Sequence, residues 1–435
     1  MIDIRLLRDD PEAVTTALAR RGVEPAEVAR VVALDAESRR ATAAVGTVRA
    51  RVKALSREVG EARRDGRIDQ AEELAAESRR LGDDERAAAR TAESLAGELR
   101  TALLYLPNLP AENAPDGTGA QDNVEVGRWW PGQAEGAEQP VPAEHQRVPH
   151  WEIGEQLGIL AMEWGAKLSG SMFPLYRGAG ARLVRALTAF ALDRHADAYE
   201  EIRPPTLVLT ETMQSTGHLP KFADEAYHIE RDDLWAIPTA EVPLTSLRRG
   251  EILDEADLPL RFTAVTPCYR REAGAAGRDT RGLLRVHEFE KVELFCYARP
   301  DQARAAFTDI VDRAQGLLKD LGLTYRVLDL CTGDLGSSSA RTFDLEVYAT
   351  GVDRWLEVSS ISWFTDYQAR RANVRYRPDG GTPAFVHTFN GSALAWPRIW
   401  AALVEQGRQP DGSVRLPDCL APYFQGPLVI GPPGR

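Results

Sequence analysis

The stretch Arg261–Phe295 reads RFTAVTPCYRREAGAAGRDTRGLLRVHEFEKVELF. Two strand-like halves flank AGAAGRDTRG, a loop rich in Gly and Arg, so the pattern predicts a hairpin with a long polar connection. Side chains two apart on a strand share a face. Arg270 and Glu272 therefore fall together on the first strand, and Arg285, His287, Phe289, Lys291 and Glu293 on the second. An apolar core does not accept that many charges on one face. Such a face is either a solvated surface or the lining of a charged ligand's pocket. Phe289 among alternating basic and acidic groups suits a nucleotide, because Arg forks match phosphate oxygens and an aromatic ring stacks on a base.

Outward from the hairpin, residues 151–435 alternate β-rich and helical segments, as expected for the enzyme domain of an α+β protein. Residues 107–150 are Pro/Gly-rich (PNLPAENAPDGTGA, PGQAEGAEQPVP) and predict a surface linker. Residues 1–106 are rich in Ala, Arg, Glu and Leu, with no Pro between Pro25 and Pro107, which is a helical composition. Within them Ala41, Val45, Val48, Val52, Leu55, Val59 and Ala62 step by four and three. Leu74, Ser78, Leu81, Glu85, Ala88, Ala92, Leu95, Leu99 and Ala102 keep that rhythm. A 3.5-residue period is a coiled-coil seam, and the turn chemistry of Asp65-Gly66 folds it into an antiparallel two-helix hairpin. About 30 residues per helix predict an arm of roughly 45 Å.

The arm is asymmetric in charge. Residues 39–67 hold nine basic and three acidic residues, whereas residues 68–98 hold four basic and nine acidic ones. Arg49, Arg51, Lys53, Arg57, Arg63 and Arg64 on the outgoing helix could track a phosphate backbone. Pairing of opposite charges between the two helices explains the same asymmetry equally well.

Bulk properties narrow the class. The 435-residue chain is long enough for at least two domains, and 43% hydrophobic with 27% charged residues is an ordinary globular balance. The net charge of −12 disfavours a wholly basic nucleic-acid binder but not a local basic patch. No run of about 18 uncharged apolar residues exists, so no membrane span is expected. The N-terminus MIDIRLLRDDPEAV lacks an apolar signal region. Cys268, Cys296, Cys331 and Cys419 are scattered without a CxxC pair, so a reducing cytoplasm is expected. Cys268 and Cys296 read as small core residues, His287 and His387 as structural hydrogen-bonding groups, and Trp129 and Trp130 as cover for an interdomain surface.

The hairpin resembles motif 2 of the class II aminoacyl-tRNA synthetases in its seryl form. Further blocks agree: YEEIRPP (199–205) resembles motif 1, AIPTAEVPL (236–244) the amino-acid-binding loop, and HTFNGSALAWPR (387–398) motif 3. EVSS (357–360) and DYQARR (366–371) match the intervening strand region, and the basic hairpin resembles the family's tRNA-binding arm. The chain is thus similar to bacterial-type seryl-tRNA synthetases over nearly its whole length. The resemblance implies a coiled-coil arm on a class II catalytic domain with a central antiparallel sheet flanked by helices. It implies ATP and Mg²⁺ as cofactors, L-serine and tRNA(Ser) as substrates, extension to tRNA(Sec), and a homodimer. It assigns the α-phosphate and the serine carboxylate to Arg270. The adenine goes to Glu272, Val286 and Phe289, and the γ-phosphate to Arg398. Mg²⁺ and phosphate go to Glu357 and Ser360, with Val358 and Ser359 beside the ATP. Thr239, Ala240, Glu241, Glu293, Asn390 and Ser392 are assigned to the serine pocket.

Two positions depart from the family pattern: Ile361 stands where Cys is usual and Trp363 where Asn is usual. Trp235, Ala236 and Trp400 are further differences near the motifs. Following directly on Glu357–Ser360, Ile361 and Trp363 predict an altered wall behind the adenylate. That would suit an accessory copy tolerant of bulky adenylate-like inhibitors. An inactive tRNA-binding paralogue and an enzyme loading a carrier protein are competing readings. The retained charges argue against the first and the arm against the second.

Overall fold

The computed structural model describes residues 1–133, 138–274 and 279–432. Contacts divide it into two compact units, Ile2–Pro107 and Asn108–Arg435 with Met1.

The N-terminal unit opens with two short helices, α1 (Ile4–Asp9) and α2 (Pro11–Ala19). Asp3 and Asp10 cap them by accepting from backbone N–H groups, and Pro11 sits at the first turn, where its missing donor costs nothing. Two long helices follow, α3 (Pro25–Arg64, 40 residues) and α4 (Ile68–Tyr105, 38 residues). They exceed the expected 30 residues because α3 starts well before its heptad run and α4 extends past both ends of its own. Gly66, at φ +74°, supplies the left-handed residue of the reversal. The predicted seam is the buried face: Val45, Leu55 and Ala62 on α3 and Ala102 on α4 are buried. Glu85, a polar interruption of the heptads, accepts from Arg49 across the hairpin at 2.7 Å, and Glu77 meets Arg51 at 3.4 Å. Part of the charge asymmetry is therefore helix pairing. Lys53, Arg57, Arg63 and Arg64 are exposed and form no ion pair among the described residues.

The second unit is built on one eight-stranded sheet. Its strands are β1 (Val124–Trp129), β2 (Glu200–Glu201), β3 (Leu260–Tyr269), β4 (Glu288–Ala298), β5 (Tyr325–Asp329), β6 (Arg341–Ala349), β7 (Arg354–Trp363) and β8 (His387–Ala395). In space they run β1-β5-β6-β7-β8-β4-β3-β2, antiparallel throughout except for the short parallel pair β2–β3. Flanking helices include α5 (His150–Gln156), α6 (Ala179–Asp193), α7 (Glu241–Ser246), α8 (Ala303–Asp320), α9 (Tyr367–Ala372) and α10 (Trp396–Gln406). Alternation along β4 sends Val292, Leu294 and Cys296 into a core with Leu187 of α6, Ile310 of α8 and Ile399 of α10. Phe295 and Tyr297 join a second core against α7 and α9.

Residues 107–150 differ from the expected linker. β1 pairs with β5 and forms the sheet edge, and Asn108 donates to the carbonyls of Ser338 and Phe364 at 2.9 and 2.8 Å. Proline and glycine disguise a strand whose partner is distant in sequence. Trp129 stacks on Tyr325 of β5 with ring centroids 5.8 Å apart, and Trp130 is buried. The two tryptophans thus pack within the second unit.

Candidate active site

The cleft is opened by an irregularity in β7. Leu345 of β6 faces Ser359, but Glu346 faces Glu357, leaving Val358 as the extra residue of a β-bulge. Glu357 and Ser360 are three apart and could not share a face of a regular strand. The bulge rotates Glu357 to the side of Ser360 and Ser362, and all three line a cleft of about 600 Å³. Thr239, Glu241, Arg270, Glu272, Lys291, Asn390 and Ser392 line the same cleft. Val358 and Ser359 are buried, and neither belongs to the lining.

At one end of the cleft is a buried polar pocket. Adjacent strands set Ser392 opposite Glu293 and Asn390 opposite Ser362. Glu293 is completely buried; its Oε2 accepts from Thr239 Oγ1 at 3.1 Å and is ion-paired with Lys291 Nζ. Lys291 Nζ also donates to Thr239 Oγ1 at 2.9 Å. Oε1 of Glu293 is buried with no hydrogen-bond partner among the described residues. Glu241 Oε1 accepts from Gln368 Nε2 at 2.6 Å, while Gln368 Oε1 accepts from Thr388 Oγ1 at 2.7 Å. Burial, then the negative charge of Glu293, pushes the Glu241 carboxyl up to about 7. Glu293 is paired with Lys291 and Glu241 is held by Gln368, and a spare buried acceptor remains on Glu293. That arrangement is matched to a small ligand carrying a cation and further donors. Ala240 is fully buried at the start of α7 and contributes backbone only.

The other end of the cleft holds arginines. Arg270 and Glu272 lie just beyond the end of β3, and Arg285 and His287 just before β4, so they are not ladder residues as the alternation predicted. Backbone bonds close this neck: Arg270 N–H donates to His287 O at 2.9 Å, and His287 Nδ1 is 2.9 Å from Arg270 O. Glu272 adopts φ +51° and is ion-paired with Arg285. The Arg270 guanidinium lies 5.1 Å from the Phe289 ring centroid. Phe289 lines a neighbouring hollow of about 300 Å³ with Phe173 and Trp396, outside the main cleft, and Val286 is buried. Arg398, in the first turn of α10, donates from Nη1 to Glu357 O at 2.7 Å and from Nε to Leu284 O at 3.3 Å. It ties the motif 3 helix to both the bulged strand and the motif 2 arm. The predicted loop residues 275–278 lie outside the described residues.

Several cleft residues carried no sequence signal. Glu225 accepts from Ala273 N at 3.0 Å and Gly274 N at 3.3 Å, which anchors the start of the motif 2 loop. His218 lies in the lining beside Thr216, 2.7 Å between Nδ1 and Oγ1, and burial lowers its pKa to about 4. Both sit in a segment with no periodicity. Gln368 was visible only as a member of DYQARR.

The expectation for Ile361 and Trp363 is overturned. Alternation past the bulge sends Ser360 and Ser362 to the cleft and Ile361 to the helical side. A Cβ added at Gly391 would come within 2.9 Å of Ile361 Cγ1 and 2.5 Å of Ile310 Cγ2. Trp363 stacks on Phe389 at 6.2 Å and 10° and packs against the same core. Neither residue forms a wall of the cleft. Trp400 is likewise buried on Tyr176, and Trp235 stacks on His228.

Comparison with known proteins bears on the family and the fold. Residues 225–407 match the model of the tRNA synthetase class II core domain (G, H, P, S and T), and residues 1–110 match the seryl-tRNA synthetase N-terminal domain. The serine–tRNA ligase of Gemmatimonas aurantiaca is 48% identical over 98% of this chain and 99% of its own length. That of Synechococcus elongatus is 45% identical over the whole of both chains. The crystal structure of seryl-tRNA synthetase from Pyrococcus horikoshii complexed with ATP superposes with a TM-score of 0.90 at 35% identity, covering 100% of both chains. An arm and a catalytic sheet of this kind, similar over their full length to these proteins, place the chain in the seryl-tRNA synthetase family of class II aminoacyl-tRNA synthetases.

Proposed function

We propose that the chain is an ATP-dependent serine–tRNA ligase whose cleft performs both half-reactions. The observation that carries this reading is one cleft lined by Thr239, Glu241 and Lys291, backed by the buried Glu293, and running to Arg270 and Glu357. The serine ammonium and hydroxyl meet the buried carboxylates and Asn390 and Ser392. Alanine would leave buried acceptors unpaired and is rejected for that reason. The serine carboxylate attacks the α-phosphate of ATP in line, forming seryl-adenylate and releasing pyrophosphate. Arg270 holds the carboxylate and the α-phosphate together, supplying charge where charge builds up. Arg398 meets the distal phosphates and Glu272 the adenine. The terminal ribose hydroxyl of tRNA(Ser) then attacks the seryl carbonyl and AMP leaves. tRNA(Sec) is a second acceptor.

Glu357 and Ser360 would hold Mg²⁺, which when bound neutralises phosphate charge. The donor set fits: these are hard oxygen ligands, and Asp344, opposite Ser360 in the ladder, has a buried Oδ1 without a partner among the described residues. Burial, then the charge of Glu357, pushes the Asp344 carboxyl well above its usual range. Among the described residues no group of three or more His, Cys, Asp or Glu is placed to hold a metal ion.

Lys53, Arg57, Arg63 and Arg64, with Arg49 and Arg51, form the arm's tRNA-binding face. The chain acts as a homodimer through the exposed sheet edge at Glu200–Glu201 and motif 1 around Pro204, in the cytoplasm. No described helix is long and apolar enough to cross a membrane. Serine-dependent ATP–pyrophosphate exchange followed by tRNA charging tests the proposal. Exchange driven equally by another amino acid, or exchange without charging, would overturn it.

A further inference from the structure

Outside the cleft, one buried polar assembly joins four segments that are far apart in sequence. His150, the first residue of α5, and Glu405, near the end of α10, are both completely buried. Glu405 Oε1 accepts from the His150 backbone N–H at 2.9 Å and lies 2.8 Å from His150 Nδ1; Oε2 accepts from Gly351 N–H at 2.8 Å. On its other side His150 Nε2 lies 2.9 Å from the Leu283 backbone N–H. An amide N–H can only donate, so Nε2 is the bare nitrogen, and Nδ1 carries the proton that goes to Glu405. The tautomer is thus set by geometry. The carboxylate takes three donors, as a buried anion must.

The assembly reaches the active site by a short path. Leu283 belongs to the motif 2 arm, and the next residue, Leu284, accepts from Arg398 Nε at 3.3 Å. α10 therefore grips two successive residues of that arm, with Glu405 acting through His150 at one end and Arg398 directly at the other. Clearance on the arm is nil. Gly282, at φ +55°, has no room for a side chain, because a Cβ there would lie 2.5 Å from His150 Nε2 and 2.6 Å from Trp151. Arg285, which is ion-paired with Glu272, follows one residue after Leu284.

We infer that His150, oriented by Glu405, is a positioning residue for adenylate formation: it docks the Gly282–Leu284 arm on α10 and so sets the direction of Arg398 and the Arg285–Glu272 pair. The inference rests on the reading of Arg398 as an ATP-binding residue. Gln at 150 can present an acceptor near the Nε2 position, whereas Asn reaches only the Nδ1 position. Asn keeps the donor to Glu405 but leaves the Leu283 N–H buried and unpaired.

The full-length enzyme is assayed by ATP–pyrophosphate exchange, with KM measured separately for ATP and serine, beside a thermal melt. His150→Asn is expected to raise the ATP KM about tenfold, consistent with one unmet buried donor. Its serine KM should stay within about twofold, and His150→Gln should recover ATP use to within about threefold of wild type. A role confined to stability would lower the melting temperature of both variants and separate neither their KM values nor the two substrates. Equal ATP KM values for the Asn and Gln variants, with Arg398→Ala strongly impaired, overturn the inference and leave the Arg398 reading standing. An unimpaired Arg398→Ala overturns both. If His150→Asn does not fold, Gly282→Ala displaces the same arm with His150 intact. It must then raise the ATP KM selectively, and its failure to do so counts against the inference as fully.

Discussion

Replacing Ile361 with Cys and Trp363 with Asn, the residues usual in the family, should cost stability and leave ligand selectivity alone. Ile361 is completely buried against Gly391, and trimming a buried Ile to a smaller residue costs about 1–2 kcal/mol. Trp363 is partly buried, stacked on Phe389, and donates from Nε1 to His387 Nδ1 at 3.3 Å. Its loss adds about 2 kcal/mol for the missing ring contacts. The two side chains are close in β7, so the sum is not strictly additive, and about 3 kcal/mol for the double variant is a fair expectation. A catalytic unit of this size has a large unfolding entropy, so that change lowers the melting temperature by only about 5 °C. The assay pairs a thermal melt with inhibition by a non-hydrolysable seryl-adenylate analogue. Inhibition constants and both substrate KM values should stay within about twofold, since Glu357, Ser360 and Ser362 line the cleft from this strand and Ile361 and Trp363 do not. A tenfold change in inhibition with an unchanged melt would show that the two side chains reach the ligand, and would refute the assignment of faces.

The other predictions address the site and the arm. Arg270→Ala or Arg398→Ala should lower adenylate formation about 100-fold or more in a folded protein, measured by pyrophosphate exchange, because each removes a donor aimed at developing phosphate charge. Deleting Arg39–Arg100 with a short rejoining turn should spare exchange and abolish tRNA charging; charging that survives would make the arm's charges purely structural. Glu241→Gln should change the pH dependence of stability in the serine-free protein. The folded carboxyl sits at about 7, above its ordinary value, so the native state holds the extra proton between the two. Wild-type stability therefore falls as pH rises through that window, by up to about 1.4 kcal/mol per unit, and stays lower above it. The Gln variant should lack that fall and be the more stable protein at pH 8 in denaturant titrations. Parallel curves would place the Glu241 carboxyl at its ordinary value.

What could be seen in the sequence divides along a physical line. The arm was legible because a coiled coil is local: its 3.5-residue period is written in consecutive heptads, and even the polar interruption at Glu85 is explained by Arg49 across the hairpin. The Arg270–Glu293 hairpin was legible because its two strands are neighbours in the chain as well as in the sheet. β1 was hidden because its partner β5 lies some 200 residues away and its flanks look like a linker. The bulge at Val358 was hidden for a different reason. Strict alternation puts Glu357 with Ser359 and Ile361, and only the pairing of β7 with β6 shows that the register slips by one. That slip moves Glu357 to the cleft and turns Ile361 and Trp363 away from it. Sequence adjacency to Glu357 had suggested that these two side chains share its ligand; in a strand, the next residue is the one that points the other way.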